Sequence, residues 1–375
     1  MLGSGGRNIK VKVKTIVAGT TFGQFYMRAI QQMQNSFELV GILAGGSQRS
    51  KRVAEEYGIS LYTSVDELPK EVELACVAVR SASMGGMGTE LAMELLNRGI
   101  HVIQEQPIHQ KEIAQCFKVA KKNKVSYQVG DLYVNLSSVR QFIRAVQEVM
   151  KTQKIQYIEA SCAVQVSYPL IDILNHMLPS LRPFKIKSVD RESGPFHLVT
   201  ADIGEIPVIF LIHNEINPED PDNYMHLLHR ITVGTSGGRI CMCDTHGPVT
   251  LHRRLHVPTG LYNEKIDVTT WPKWLYQNSM EEIGNIPKQE YYKIISEEWP
   301  KAVAGDLHKY LRVKDGAEKV NMRYGRTLLA AEVWHEITNH LGYASLGKGS
   351  VYEPVDLEGL KARMKTEEGY PWLEY

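Results

Sequence analysis

Long apolar runs are missing from this 375-residue chain. No stretch approaches the ~20 residues that a membrane-crossing helix needs, and the first residues carry no hydrophobic signal core. A cytoplasmic location without a membrane partner is expected. An excess of charge is missing as well: 43 Lys and Arg stand against 42 Asp and Glu, a formal net charge of +1. That balance gives no sign of a nucleic-acid partner, which rewards a basic surface. Cysteine is scarce. Cys76, Cys116, Cys162, Cys241 and Cys243 are odd in number and lack framework spacing, so they are expected to be reduced. Cys241 and Cys243 share one face of an expected strand, but no further ligands stand at matching spacing, so no metal is expected. Internal repeats and low-complexity tracts are absent too. Residues 1–10 begin MLGSGGRN, small and polar, and are expected to be disordered.

What is present is a 43% hydrophobic, 23% charged composition in a chain long enough for two domains. Up to about residue 130, strands and helices alternate. The β-branched run from Val13 to Ala18 ends at Gly19, and a helix is expected from Phe22 to Met33. A second strand, Glu38 to Ala44, precedes a helix from Arg49 to Tyr57 that Gly58 closes. Ser64 and Glu67 have capping-box spacing. Leu74 to Val79 reads as a strand buried on both faces. A helical stripe through Leu91, Ala92, Leu95 and Leu96 stops at Gly99, then come a strand from His101 to Gln104 and a helix over 111–123. This alternation predicts an α/β fold: a doubly wound parallel sheet of Rossmann type over 11–132. Beyond about 150 the strands lengthen, at 155–166, 196–200, 208–215, 226–233 and 239–243. They predict an α+β domain over 133–375 with an open, mainly antiparallel sheet. Residues 260–300 read as irregular surface. Leu329, Val333, Ile337 and Leu341 mark a late helix that Gly342 ends.

After the first strand comes Gly19-Thr20-Thr21-Phe22-Gly23. A strand, a glycine loop and a helix in this order suit a dinucleotide pyrophosphate, which takes the free N–H groups of the helix start. The loop is contracted, with two glycines where the usual pattern has three. The second strand runs into Ser47-Gln48-Arg49-Ser50 and offers no acid for ribose hydroxyls. Ser47, Arg49 and Ser50 suit a 2′-phosphate instead, which predicts NADP(H) over NAD. A capping serine and a solvated arginine would be the structural alternative. Arg80 and Ser81 follow the fourth strand at the edge of the same crevice, where a structural arginine is equally admissible.

The strand at 101–104 leads into Glu105-Gln106-Pro107. The chain resembles the Gfo/Idh/MocA oxidoreductases, in which this place typically reads Glu-Lys-Pro and the lysine moves the proton when alcohols are oxidised. Gln106 can neither take nor give a proton, so a sugar or polyol dehydrogenase is not expected. It can still hold the nicotinamide amide or orient a substrate, and Glu105 and Gln106 are both placed at the cofactor. The stretch VRSASMGGMGTELAMELLNRGIHVIQEQPIH is similar to thiazolinyl imine reductases of siderophore biosynthesis, which also lack the lysine. A second block agrees: Asn217 to Asp222, His229-Arg230, Gly234, Gly238 and Gly247-Pro248-Val249.

That resemblance implies a reaction. NADPH would reduce the C=N bond of a thiazoline to a thiazolidine, on an intermediate tethered to a carrier domain of a nonribosomal peptide synthetase. It also implies that Tyr133 is the proton donor. A phenol remains protonated at neutral pH, and Tyr133 sits where the chain crosses between domains. A tyrosine that only packs the junction is the structural alternative. Asp172 and His176, four apart on an expected helix over 168–178, match a catalytic spacing of the wider family; a surface or capping role is open for both. Two other readings remain: a lysine-free reductase of the biliverdin reductase kind, and a dinucleotide-binding sensor without catalysis. An open sheet face in the second domain predicts a homodimer.

Overall fold

The structure is a computed structural model that describes residues 11–81, 85–192, 194–220, 223–257, 271–316, 320–347 and 352–366. The N-terminal segment expected to be disordered and the Pro221-Asp222 part of the second sequence block lie outside these residues. In the first half, β1 (Val13–Ala18), α1 (Gly23–Gln32), β2 (Phe37–Leu43), α2 (Gln48–Tyr57), β3 (Ser60–Tyr62), β4 (Leu74–Val77) and α3 (Gly88–Asn97) follow in turn. Then come β5 (His101–Glu105), α4 (Gln110–Lys122) and β6 (Tyr127–Gly130). The six strands pair in parallel in the order β3-β2-β1-β4-β5-β6. The order reverses between β1 and β4, and ligands of such sheets bind outside the strand ends at that reversal. Leu74, Ala75, Cys76 and Val77 of β4 are all buried, as a strand covered by helices on both faces must be.

α5 (Ser137–Val149) leads into β7 (Ile155–Ala163), α6 (Ser167–Met177), β8 (Phe184–Asp190), β9 (Phe196–Ile203), β10 (Ile206–His213) and the short β11 (Glu215–Ile216). β12 (His229–Thr235), β13 (Gly238–Met242), β14 (Val249–Arg253) and β15 (Met280–Glu282) complete an eight-stranded sheet in the order β15-β14-β13-β12-β7-β10-β9-β8. β7 and β10 are parallel, and the other pairs are antiparallel. One face is core: Ile158, Ala160 and Cys162 of β7 pack with Phe210, Ile212, Ile231 and Val233. The other face leaves Ile209 44% exposed. No described helix is long and apolar enough to cross a membrane.

Some expectations need correction. The irregular surface expected at 260–300 becomes helical from residue 291: α7 (Tyr291–Lys293) passes through a π-turn into α8 (Trp299–Lys314). α9 (Val320–Leu341), β16 (Ser345–Leu346) and α10 (Leu357–Thr366) follow. α8 returns to the first sheet and lies against α1, with the Trp299 and Phe25 rings 5.2 Å apart. The Ser64 box is not formed, because Val65–Glu67 is only a 3-10 turn and the Glu67 carboxylate accepts from the Thr63 amide at 2.7 Å. The box that does form is His109 with Glu112 at the start of α4. β8 and β14 were not foreseen; most of β8 lies open to solvent at the sheet edge, which dilutes its apolar pattern.

Candidate active site

The loop after β1 presses against the end of β4. Gly19 has φ +92, and a Cβ there would stand 2.6 Å from the Ala78 carbonyl oxygen, so only glycine lets the loop lie this close. At Gly23 a Cβ would meet Val17 at 2.9 Å. α1 starts without a side-chain cap and without an acid in its first turn, which leaves its N–H groups to an anion. Thr20 and the exposed Thr21 form the loop rim, and Phe22 packs edge-on to Phe25 at 5.0 Å. The Thr20 carbonyl accepts from Gln24 at 3.0 Å and from the Arg49 guanidinium at 3.2 Å, which joins this loop to the end of β2.

Ser47 caps α2 by accepting from the Ser50 amide at 3.2 Å. Ser50 is buried, and its hydroxyl donates to the Ser47 carbonyl at 2.8 Å; its polar atom is spent on the cap. Ser47 and Arg49 are therefore the pair left facing the crevice beside Thr20. Ser81 is also turned inward, donating to the Pro107 carbonyl at 2.7 Å and tying the exits of β4 and β5 together. Arg80 is exposed, and its carbonyl accepts the Gly88 amide at 2.8 Å. A dinucleotide fits this arrangement: a close-approach glycine, an uncapped helix start and a cation at the ribose end lie along one strand-end crevice.

At the end of β5, the Glu105 carboxylate accepts from the Tyr26 hydroxyl at 2.6 Å. Burial drives its carboxyl well above the usual range, against the opposing pull of that hydrogen bond. The Gln106 amide donates to the Gly130 carbonyl at 3.3 Å, so the ends of β5 and β6 run side by side. Gln106 Oε1 is buried and has no hydrogen-bond partner among the described residues. Buried polar atoms in a native protein are almost always paired, so this oxygen marks a place where a donor group belongs.

Tyr133 follows β6 by three residues. Its amide donates to Asp131 Oδ1 at 2.7 Å, and its ring packs edge-on to His229 at 4.9 Å. Burial, then the neighbouring Asp131 and Glu105, push the phenol above its ordinary value, so it stays protonated. His229 Nε2 donates to the Val166 carbonyl at 2.9 Å, which leaves Nδ1 of the neutral ring to accept from the Thr245 hydroxyl, and burial lowers the imidazole to about 4. Asp172 lies on α6 and is buried; His176 stands 3.4 Å from it and Asn175 donates to it at 3.3 Å. Burial pushes the Asp172 carboxyl up, but His176 and Asn175 outweigh it and hold it at about 2.

Two residues went unread in the sequence. Asp306 of α8 is wholly buried and accepts from the Asp131 amide (3.1 Å), Asn135 (3.0 Å) and Lys309 (2.9 Å). It thereby pins the segment that carries Tyr133. Asp131 itself is 3% exposed, with Oδ2 lacking any partner among the described residues. A signal for Asp306 existed: it sits on the buried stripe of Val303, Leu307 and Tyr310, where a carboxylate needs a reason. The charged groups thus gather where β5, β6, α6 and α8 meet, beneath the crevice. A separate concavity of about 530 Å³, lined by Thr235, Gly238, Arg239, Arg253 and Trp274, lies at the far end of the second sheet.

Residues 13–131 match the family model "Oxidoreductase family, NAD-binding Rossmann fold". Residues 153–252 match "Thiazolinyl imine reductase Irp3-like, C-terminal". No curated protein matches the chain. Several solved structures share its fold at low identity. A 3-ketoreductase from Actinomadura kijaniata, solved with NADP and TDP-benzene, is 12% identical over 90% of this chain and 100% of its own, with a TM-score of 0.63. An oxidoreductase from Agrobacterium radiobacter, solved with NAD+, L-tartaric acid and magnesium, is 12% identical over 87% and 96%, with a TM-score of 0.60. Biliverdin reductase from Synechocystis, solved with biliverdin and NADP+, is 15% identical over 86% and 96%, with a TM-score of 0.57. Residues 13–131 thus belong to the NAD-binding Rossmann domains of the Gfo/Idh/MocA oxidoreductase family, a fold that takes a nicotinamide dinucleotide, and residues 153–252 are the C-terminal domain of the Irp3-like thiazolinyl imine reductases.

Proposed function

We propose that the protein reduces the C=N bond of a thiazoline to a thiazolidine with NADPH, on a siderophore intermediate that a peptide-synthetase carrier domain presents. The observation that carries this reading is Gln106 with its unpaired Oε1 at the end of β5, next to a segment that bears the phenol of Tyr133. Oxidising an alcohol requires a base at that position, and a glutamine supplies none. Reducing an imine requires a proton for nitrogen and no strong base. When bound, the nicotinamide supplies hydride to the imine carbon.

The chain's own residues supply the rest. Gln106 Oε1 accepts from the carboxamide N–H of the nicotinamide or from the substrate, which fixes the reacting face. Tyr133 donates its phenolic proton to the ring nitrogen as the carbon is reduced, so the product leaves neutral. Asp172, ionised and held by Asn175 and His176, lines the junction opposite. Ser47 and Arg49, with no acid beside them, favour the 2′-phosphate of NADPH. The open face of the second sheet, with Ile209 exposed, supports a homodimer.

The test is oxidation of NADPH, followed at the nicotinamide absorbance band, with a 2-aryl thiazoline carboxylate as substrate and biliverdin as the comparison. Turnover of the thiazoline, and a loss of ~10²–10⁴ in kcat for Tyr133→Phe with NADPH binding intact, is the expected result. Turnover of biliverdin alone, or none of either, would overturn the reading.

A further inference from the structure

Around Tyr133 the structure holds more carboxyl groups than imine reduction calls for. Glu105 comes from β5, Asp131 from the turn after β6, Asp172 from α6 and Asp306 from α8. Gly130 is where three of these elements meet: a Cβ there would stand 3.2 Å from both Glu105 Oε2 and Asp306 Oδ2. Three of the four are accounted for by partners. Asp306 accepts three hydrogen bonds, one from Lys309, and Asp172 has His176 and Asn175. Glu105 has the Tyr26 hydroxyl.

Asp131 differs. Its Oδ1 accepts the Tyr133 amide at 2.7 Å, but Oδ2 is buried and meets no donor among the described residues. An ionised carboxylate buried to this degree would want a donor on each oxygen, and no positive charge contacts it directly. Lys309, whose charge reaches Asp131, bonds to Asp306 instead. A carboxylic acid suits the position better: one oxygen accepts from Tyr133, and the other carries a hydrogen toward a group that arrives with the substrate or solvent.

We propose that Asp131 is a proton-holding positioning residue behind Tyr133, whose free oxygen bears the proton that replaces the one Tyr133 gives to the imine nitrogen. This rests on the reading of Tyr133 as proton donor. The balance is simple. Hydride arrives at carbon with its electron pair, the Tyr133 O–H bond breaks as an N–H bond forms, and the Asp131 O–H proton then restores the phenol through a bridging water, which Oδ2, without a protein partner among the described residues, is free to bind. The carboxylate left on Asp131 is reprotonated from water before the next turnover. Of the groups facing Asp131, two favour the ionised form and the rest favour the acid. Burial, then Asp172 of α6 and Asp306 of α8, raise its carboxyl well above the usual range; the Tyr133 amide opposes them, with Lys309 of α8 as the distant cation. Glu105 of β5 is affected by the same negative field.

Asp131→Asn tests this, because asparagine copies the shape and neutrality of the protonated acid but carries no exchangeable acidic proton. Wild-type turnover of the thiazoline is measured first, and its absence would sink the proposed function without bearing on Asp131. Given that turnover, the expected result is a fall of at least tenfold in kcat with the NADPH dissociation constant unchanged within twofold. Added imidazole buffer, a small diffusible acid, should recover part of the lost rate, which a purely structural role would not allow. The infrared spectrum of the wild-type protein at neutral pH should also show a protonated-carboxyl band that Asp131→Asn removes. Turnover equal to wild type, a loss that imidazole leaves untouched, or no change in that band would overturn the proposal. The band is read on wild type against Glu105→Gln as well, so a poorly folding Asp131→Asn still leaves it decidable.

Discussion

Asp306→Asn is a demanding perturbation, because the side chain is 0% exposed and joins elements 175 residues apart in sequence. Its Oδ2 accepts from the Asp131 amide, and its Oδ1 accepts from Asn135 and Lys309. In either orientation of the new amide, one oxygen becomes an NH2 group that faces a donor. If it faces Asp131, a buried backbone N–H loses its only acceptor, at about 1–3 kcal/mol. If it faces Asn135 and Lys309, a side-chain bond and an ion pair go together. Lys309 remains 28% exposed and can turn to water, so its share is about 1 kcal/mol or less. One effect runs the other way: removing this negative charge relieves Glu105 and Asp131, whose carboxyls it helps push up. The net expectation is a loss of about 1–3 kcal/mol, read as a lower urea midpoint by circular dichroism, with kcat falling more than NADPH binding weakens. An unchanged midpoint together with unchanged kcat would show that α8 does not hold the Tyr133 segment.

Three further outcomes are expected. Arg49→Ala should weaken NADPH binding by about tenfold while NADH binding moves less than twofold, as fluorescence titration would show, since about 1.4 kcal/mol is a factor of ten. Equal losses for both would remove Arg49 from the 2′-phosphate. Burial pulls His176 down, but Asp172 outweighs it and raises it above its ordinary 6.5, while Asp172 sits at about 2, below its ordinary 3.8. The pair therefore stabilises the fold most between these ordinary values; it fades as pH rises through the raised histidine value and as pH falls toward 2. His176→Ala should cost about 1 kcal/mol or less near pH 5.5 and almost nothing near pH 9, and an equal cost at both would refute the ion pair. Ile209→Glu places a charge on the open face of the second sheet; sedimentation should show a dimer for wild type and a monomer for the variant.

Much of the first domain was readable because its signals are local. Gly58, Gly99 and Gly342 end their helices with positive φ, and each was marked by a stripe that stops one or two residues earlier. The buried strand β4 announces itself as an unbroken apolar run. The eight-stranded sheet was legible in its centre and blurred at its edges: β7, β9, β10, β12 and β13 were expected, whereas the edge strands β8 and β15 and the adjacent β14 were not. α8 failed for another reason. Its sequence begins Trp299-Pro300 after a π-turn, and its buried stripe is interrupted by Asp306, so the periodicity reads as weak. The stripe makes sense only with β6 in view, because that is where Asp306 finds the Asp131 amide.

The same distinction between local and distant information explains the site. Gly19, Ser47 and Arg49 belong to short motifs whose geometry is set within a few residues, and they assemble along one crevice. Ser50 and Ser81 belong to the same motifs but spend their hydroxyls on the scaffold, a choice fixed by distant carbonyls or by cap geometry. The electrostatics of the cleft are entirely non-local. Four acids drawn from β5, the turn after β6, α6 and α8 come within range of one another only in the folded chain. Burial first, and then their acidic neighbours, push two of them, Glu105 and Asp131, well up. A lysine at position 106 would pair with this negative charge and lower those carboxyls. A glutamine brings no such charge and leaves Glu105 and Asp131 pushed toward their acid forms. The substitution that removes a base is thus also the one that lets this cleft keep protons, which is what an imine nitrogen needs.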